Sequence, residues 1–335
     1  MLALDALLER LPDALVGDLA RKRLRLVGDR LPDALSRRIG LEARLGDDAT
    51  VDLLLLVASP RELGVLAGAD AVIALDPALA LQPEWRAAAR LARRSLRLID
   101  LRSPLPPPIW LELDAAGDDG TPAAFTAAAP DPAAAIADWD VPGTVEEILR
   151  SMTDAAVPAA LPARVAHVVA SGLDVRQVGC FTGRPLAGVR LFCAATAPAQ
   201  LPGALARAGW RGAASALADW VDVAARCADT LHLGLDVAAG EVCPGIGLEF
   251  ALADAAQPHQ DPRWGGLLDL LVDRGLCAPA KRDAVLGLGR AYEVRLPHLR
   301  RYRQGLHHVK VSVDESGRAA AKVYFGAYEV TGAAP

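Results

Sequence analysis

The sequence predicts an α+β protein: an antiparallel β-barrel of about ten strands, made from five ββ hairpin units and surrounded by helices. Three observations carry this expectation. A pattern of extended run, turn and second extended run recurs five times, at starts 68, 66, 56 and 76 positions apart. Each run alternates apolar with polar residues, as a strand with one covered face must. Segments with helical apolar spacing lie between the hairpins, including Leu201 to Ala228 and Trp264 to Leu288.

The first forty residues show helical spacing at Leu4, Leu7, Leu8 and Leu11, and the basic stretch Arg21 to Arg25 reads as a solvated helix face. The hairpins then follow. They are Leu41 to Val57 around Gly46-Asp47-Asp48, Ile109 to Ala127 around Gly117-Asp118-Asp119-Gly120, and Val175 to Ala194 around Gly183-Arg184-Pro185. The last two are Leu231 to Leu252 around Ala239-Gly240 and His307 to Tyr328 around Glu315-Ser316-Gly317. The second is the weakest, because its return strand is short and Ala-rich, and residues 115–142 read as a mobile loop. The whole chain, 1–335, is expected to be one repeat-built domain.

Alternation assigns two faces. Leu41, Leu53, Leu111, Leu191, Leu233, Leu248, Val311 and Val323 share one. The other carries Glu42, Arg44, Asp52, Trp110, Glu112, Asp114, Arg190, Phe192, His232, Asp236, Glu249, His308, Lys310, Lys322, Tyr324 and Tyr328. Helices cover the apolar face, and closing the sheet removes two unpaired edges while leaving a polar lumen. An open antiparallel sheet with helices on one face is the alternative.

Charge and composition exclude several classes. A net charge of -5 and a pI near 5.7 supply no basic field for nucleic acid or an anionic membrane surface. No run reaches the roughly 18 uncharged apolar residues of a transmembrane helix, so a cytoplasmic, unexported protein is expected. Cys180, Cys193, Cys227, Cys243 and Cys277 lack disulfide or zinc spacing and read as reduced thiols. Only Lys22, Lys281, Lys310 and Lys322 among the 36 basic residues are lysines, which with the abundant alanine suggests a GC-rich bacterial genome.

No motif names a reaction. Gly245-Ile-Gly247 and Gly287-Leu-Gly289 lack phosphate-loop spacing, and the first reads as a bulge or a close approach within a strand. Asp47-Asp48 and Asp118-Asp119 are explained by turn chemistry. His307 and His308 should face opposite ways on a strand and so should not share an ion. No metal and no cofactor are expected.

Ten strands in five hairpin units, outer helices and a charged aromatic interior resemble the prenyltransferase barrel of aromatic and indole prenyltransferases. In that family inward lysines, arginines and tyrosines hold a prenyl diphosphate, often in Lys-x-Tyr motifs, and Lys322-Val323-Tyr324 has that form. The resemblance implies diphosphate contacts from Arg44, Arg190, Lys310, Lys322, Tyr324 and Tyr328, with a carboxylate such as Glu112 or Glu249 taking a proton from the acceptor. A second resemblance involves Asp261-Pro262-Arg263-Trp264, Gly275-Leu276-Cys277, His307 to Lys310 and Ala321 to Gly326. It is similar to bacterial proteins that bind precursor peptides in the biosynthesis of ribosomally made, modified (crocagin-type) peptides.

The lumen as read from the strands has more acids than bases, which suits a zwitterionic peptide better than a diphosphate. The expected function is therefore a non-catalytic binding protein for a peptide or peptide-derived intermediate, or another small molecule, working with biosynthetic partner enzymes. Its ligand-binding residues would be Arg44, Arg190, His232, His308, Lys310, Lys322, Tyr324 and Tyr328. The alternative is an aromatic or indole prenyltransferase using an isoprenyl diphosphate, with Glu112 or Glu249 as the catalytic carboxylate.

Overall fold

A computed structural model describes residues 1–70, 72–99, 108–114, 121–128, 140–152, 157–182, 188–194, 198–253, 256–289, 291–296 and 298–329. Its strands are β1 (Arg38–Arg44), β2 (Val51–Val57), β3 (Ile109–Leu113), β4 (Pro122–Ala128), β5 (Asp174–Phe181), β6 (Gly188–Ala194), β7 (Thr230–Ala238), β8 (Val242–Ala251), β9 (Ala291–Leu296), β10 (His298–Val313) and β11 (Ala319–Glu329). Sequential strands β1 to β8 pair as antiparallel neighbours, β8 pairs with β10, β10 with β11, and β11 returns to β1. Ten strands thus close a barrel, and the alternative of an open sheet is set aside.

The eleventh strand was not expected. Residues 298–303 of β10 pair with β9, and 298–301 of them run on beyond the pairing with β11, so the last hairpin begins well before His307. Within the stretch 115–142, Pro122–Ala128 is strand and a helix starts at Val141, while 115–120 and 129–139 lie outside the described residues.

The helices are α1 (Leu2–Leu8), α2 (Asp18–Asp29), α3 (Pro60–Ala67), α4 (Pro77–Ala80), α5 (Pro83–Ile99), α6 (Val141–Met152), α7 (Ala160–Ala170), α8 (Leu201–Ala208), α9 (Ala214–Cys227), α10 (Arg263–Asp273) and α11 (Pro279–Leu286). Among the described residues no helix is long and apolar enough to cross a membrane. The core lies between them and the barrel's outer face: Leu41, Leu53, Leu111, Leu191, Leu233, Leu248, Val311 and Val323 are all fully buried. Trp85, Trp220 and Trp264 anchor helices against that face. Arg21 departs from the solvated-face expectation, because its guanidinium reaches back to the Leu8 and Leu11 carbonyls and to Asp13.

Local chemistry explains how the units join. In α3, Ser59 and Glu62 form a capping box behind Pro60, and Gly68 ends the helix in the left-handed region at φ 68°. The buried Glu62 carboxylate also accepts from the Arg37 amide at 2.9 Å, tying the helix start to the entry of β1. From α11, the Lys281 ammonium donates to the carbonyls of Arg44, Gly46 and Asp48 at 2.6–2.7 Å, so a single lysine fixes the β1–β2 turn.

Candidate functional site in the barrel lumen

Strand alternation that buries leucine and valine outside the barrel drives the intervening polar residues inward, and register sets which of them meet. Glu42 is opposite Asp52 on one side and Tyr324 on the other, Arg44 is opposite Lys322, and Lys310 lies between Lys322 and Glu249. Glu249 faces His232 on β7, while Arg190 pairs across to Asp236. Three interlocked groups result.

In the first group, the Lys322 ammonium and the Tyr324 hydroxyl both donate to the buried Glu42 carboxylate. Asp52 and Glu112 stand beside it, and one oxygen from each of the three carboxylates lies within 4.8 Å of the others. Burial, followed by the negative charges of Glu42, Glu112 and Asp114, pushes Asp52 up to about 7. Burial and then Glu42 raise Glu112 too, against the pull of Lys322, Lys310 and Arg190. One Asp52 oxygen is buried without a hydrogen-bond partner. These three carboxylates are also the residues that could hold a hard divalent cation through oxygen, a set the sequence reading did not foresee.

In the second group, the Lys310 ammonium is 3.0 Å from the Glu249 carboxylate, and both are nearly excluded from solvent. Burial alone would raise Glu249, but the Lys310 charge, a His308 charge that appears only in acid, and the Lys310 hydrogen bond overcome it and hold the acid at about 2. His308 is itself pushed down to about 3 by burial, so near neutral pH it is uncharged and Lys310 supplies the compensation. The His308 ring stacks on Tyr324 with centroids 4.1 Å apart. Burial, followed by Glu42 and Glu249, raises the Tyr324 phenol well above its ordinary range, so it serves as a neutral donor.

The expected separation of the two histidines fails. A register irregularity between Leu306 and His308 breaks the alternation, and the Nδ1 atoms of His307 and His308 come within 2.7 Å.

The third group is a two-point ion pair in which Arg190 donates to Asp236 at 2.7 and 2.8 Å, with the guanidinium 4.5 Å from the Phe181 ring centroid. Phe192 places its ring 5.3 Å from the Lys310 ammonium. Glycine makes the room for that lysine, because a Cβ at Gly247 would lie 2.7 Å from the Lys310 Cε. The close approach expected at Gly245-Ile-Gly247 is therefore a lysine side chain crossing the strand.

Several site residues expected from the sequence converge: Arg190, His308, Lys310, Lys322 and Tyr324, together with Glu112 and Glu249. His232 adjoins Glu249 in register. Two do not join them. Arg44 is tied to Asp48 in the β1–β2 turn at 3.1 Å, and Tyr328 is 43% exposed at the opposite end of β11, facing Arg38. Glu42 and Asp52 were placed on the polar face but not among the site residues, although both are central. Their signal was the register, which alternation by itself does not supply.

All five cysteines are free thiols, and burial pushes Cys180 and Cys193 up to about 12, which holds these two away from the thiolate form.

No family model and no curated protein sequence matches the chain. Among solved structures it is similar to 5-dimethylallyltryptophan synthase from Streptomyces coelicolor, at 15% identity and a TM-score of 0.50, covering 96% of this chain and 94% of that one. It is also similar to AnaPT from Neosartorya fischeri, at 15% identity and a TM-score of 0.51, covering 99% of this chain and 93% of that one. The likeness is one of fold, and it supports the prenyltransferase-barrel architecture.

Proposed function

We propose that the protein is an aromatic prenyltransferase that moves an isoprenyl group from its diphosphate to an electron-rich aromatic ring inside the barrel. The observation carrying this reading is the convergence of Arg190, Lys310 and Lys322, from three different strands, around a carboxylate whose proton affinity is raised, Glu112. Three cations suit the diphosphate and its developing charge as the carbon–oxygen bond breaks. The faces of Phe192 and Tyr324, already beside the Lys310 ammonium, suit an allylic cation. Once the new carbon–carbon bond has formed, the ring proton passes to the ionised Glu112 carboxylate, which its raised pKa makes the stronger base for that step. Tryptophan is the acceptor to try first, since a similar structure bears the name 5-dimethylallyltryptophan synthase.

One observation favours a second reading. Each of the three cations is already matched by a carboxylate: Lys322 by Glu42, Lys310 by Glu249 and Arg190 by Asp236. A diphosphate must displace these acids, whereas a zwitterionic peptide or peptide-derived intermediate could exchange partners with both halves of each pair. That reading is a non-catalytic binding protein.

Thermal unfolding separates the two, because a ligand at about 100 times its Kd adds about 2.7 kcal/mol of stability. The prenyltransferase reading expects dimethylallyl diphosphate to raise the Tm, and Lys322→Ala to abolish the rise. A rise with a zwitterionic peptide and none with the diphosphate would favour the binding protein.

A further inference from the structure

Outside the barrel, a second cationic site lies between α5 and α6. Arg90, Arg93, Arg94 and Arg97 from α5 meet Arg150 from α6 around a cavity of about 500 Å³, with Glu147 as the acid in its lining among the described residues. Arg90 and Arg93 are shared with an adjoining cavity of about 440 Å³, whose wall is largely apolar and includes Val65, Leu75 and Trp85.

A merely solvated helix face would place acids four residues from its arginines. Here Arg90 precedes Arg94, and Arg93 precedes Arg97, at that spacing, so like charges are neighbours on the helix. The one acid in the lining is taken up by Arg94, and Arg150 pairs with Glu146 at 2.8 Å. The Arg94 Nε is buried without a hydrogen-bond partner. Burial, then the charges of Arg97 and Arg150, lower the Arg94 pKa even with Glu147 in contact.

We infer that this outer groove binds an organic phosphate or diphosphate, with the anionic head among the arginines and an apolar group in the adjoining cavity. Guanidinium forks recognise phosphate oxygens at two points, and the cavity's small volume favours a compact anion over an extended chain. The inference stands apart from the lumen reading and does not require catalysis.

Geranyl diphosphate and inorganic pyrophosphate serve as probes, titrated by calorimetry into the wild-type protein and into Arg97→Glu and Arg150→Glu. Both positions are exposed and lie on different helices, so loss of fold is readily checked by circular dichroism. Each variant should weaken geranyl diphosphate at the groove by about tenfold or more, the effect of losing one charge-assisted contact. Pyrophosphate should bind the groove more weakly than geranyl diphosphate, since it leaves the apolar cavity empty. Binding unchanged in both folded variants but lost in Lys322→Ala would place the ligand in the lumen only and overturn the groove. No binding of either probe to the wild type would overturn it as well, whereas the lumen reading is judged separately by prenyl transfer.

Discussion

Asp52 and Glu249 are both buried lumen carboxylates, yet one is raised to about 7 and the other held at about 2. The difference is the neighbour: Asp52 stands by other acids, Glu249 by the Lys310 ammonium. A folded pKa above the unfolded value means that the folded state holds the extra proton, so Asp52 contributes stability below its unfolded value of 3.8 and loses it as pH rises through about 7. Glu249 works in the opposite sense, contributing above 4.5 and losing that contribution as pH falls through about 2. Asp52→Asn should therefore gain about 1–2 kcal/mol near pH 8 and little near pH 4, measured by urea unfolding across pH. Equal effects at both pH values would contradict the shift. Lys310→Met leaves a buried charge unpaired and should cost about 3–5 kcal/mol, most of which Lys310→Met with Glu249→Gln should restore. Alternation placed these side chains on one face in the sequence. It could not pair Lys310 with Glu249, because pairing depends on register, and it misplaced His307 because an irregularity at Leu306 and His308 carries no sequence signature of its own.

At the scale of elements, the barrel closes where β11 meets β1, and the strands approach so closely there that a Cβ at Gly326 would come 2.1 Å from the Ile39 carbonyl oxygen. Gly326→Ala should cost about 1–3 kcal/mol through overpacking against backbone, read from the urea midpoint at constant m. The β1–β2 turn depends on Lys281 from a distant helix, and Lys281→Met should free three carbonyls and destabilise by about 1–3 kcal/mol. Hydrogen exchange should then quicken first in that turn, and uniform change across the barrel would contradict the clamp. The five hairpins were legible because turn residues punctuate period-two runs. Strand β9 and the first half of β10 were not, since the arginine-rich stretch from Leu299 to Arg303 shows no clean alternation.

Across the whole molecule, one physical choice governs the architecture: apolar strand faces turn outward to helices, so every polar face must share a closed interior. That interior balances Arg190, Lys310 and Lys322 against Asp236, Glu249 and Glu42, leaving Asp52 and Glu112 as acids whose pKa values rise. The barrel and its polar lumen followed from the sequence, while the identity of the ligand did not, because paired charges look alike whether they await a substrate or merely neutralise each other.

Prenyl transfer is the most direct test: dimethylallyl diphosphate and tryptophan incubated with the protein, with product read by mass spectrometry. The account predicts a product one isoprenyl group heavier than the acceptor, and a rate reduced by about 100-fold or more in Glu112→Gln, the range expected when a general base is removed. Diphosphate binding in the lumen without transfer to any aromatic acceptor, or transfer undiminished in Glu112→Gln, would contradict it.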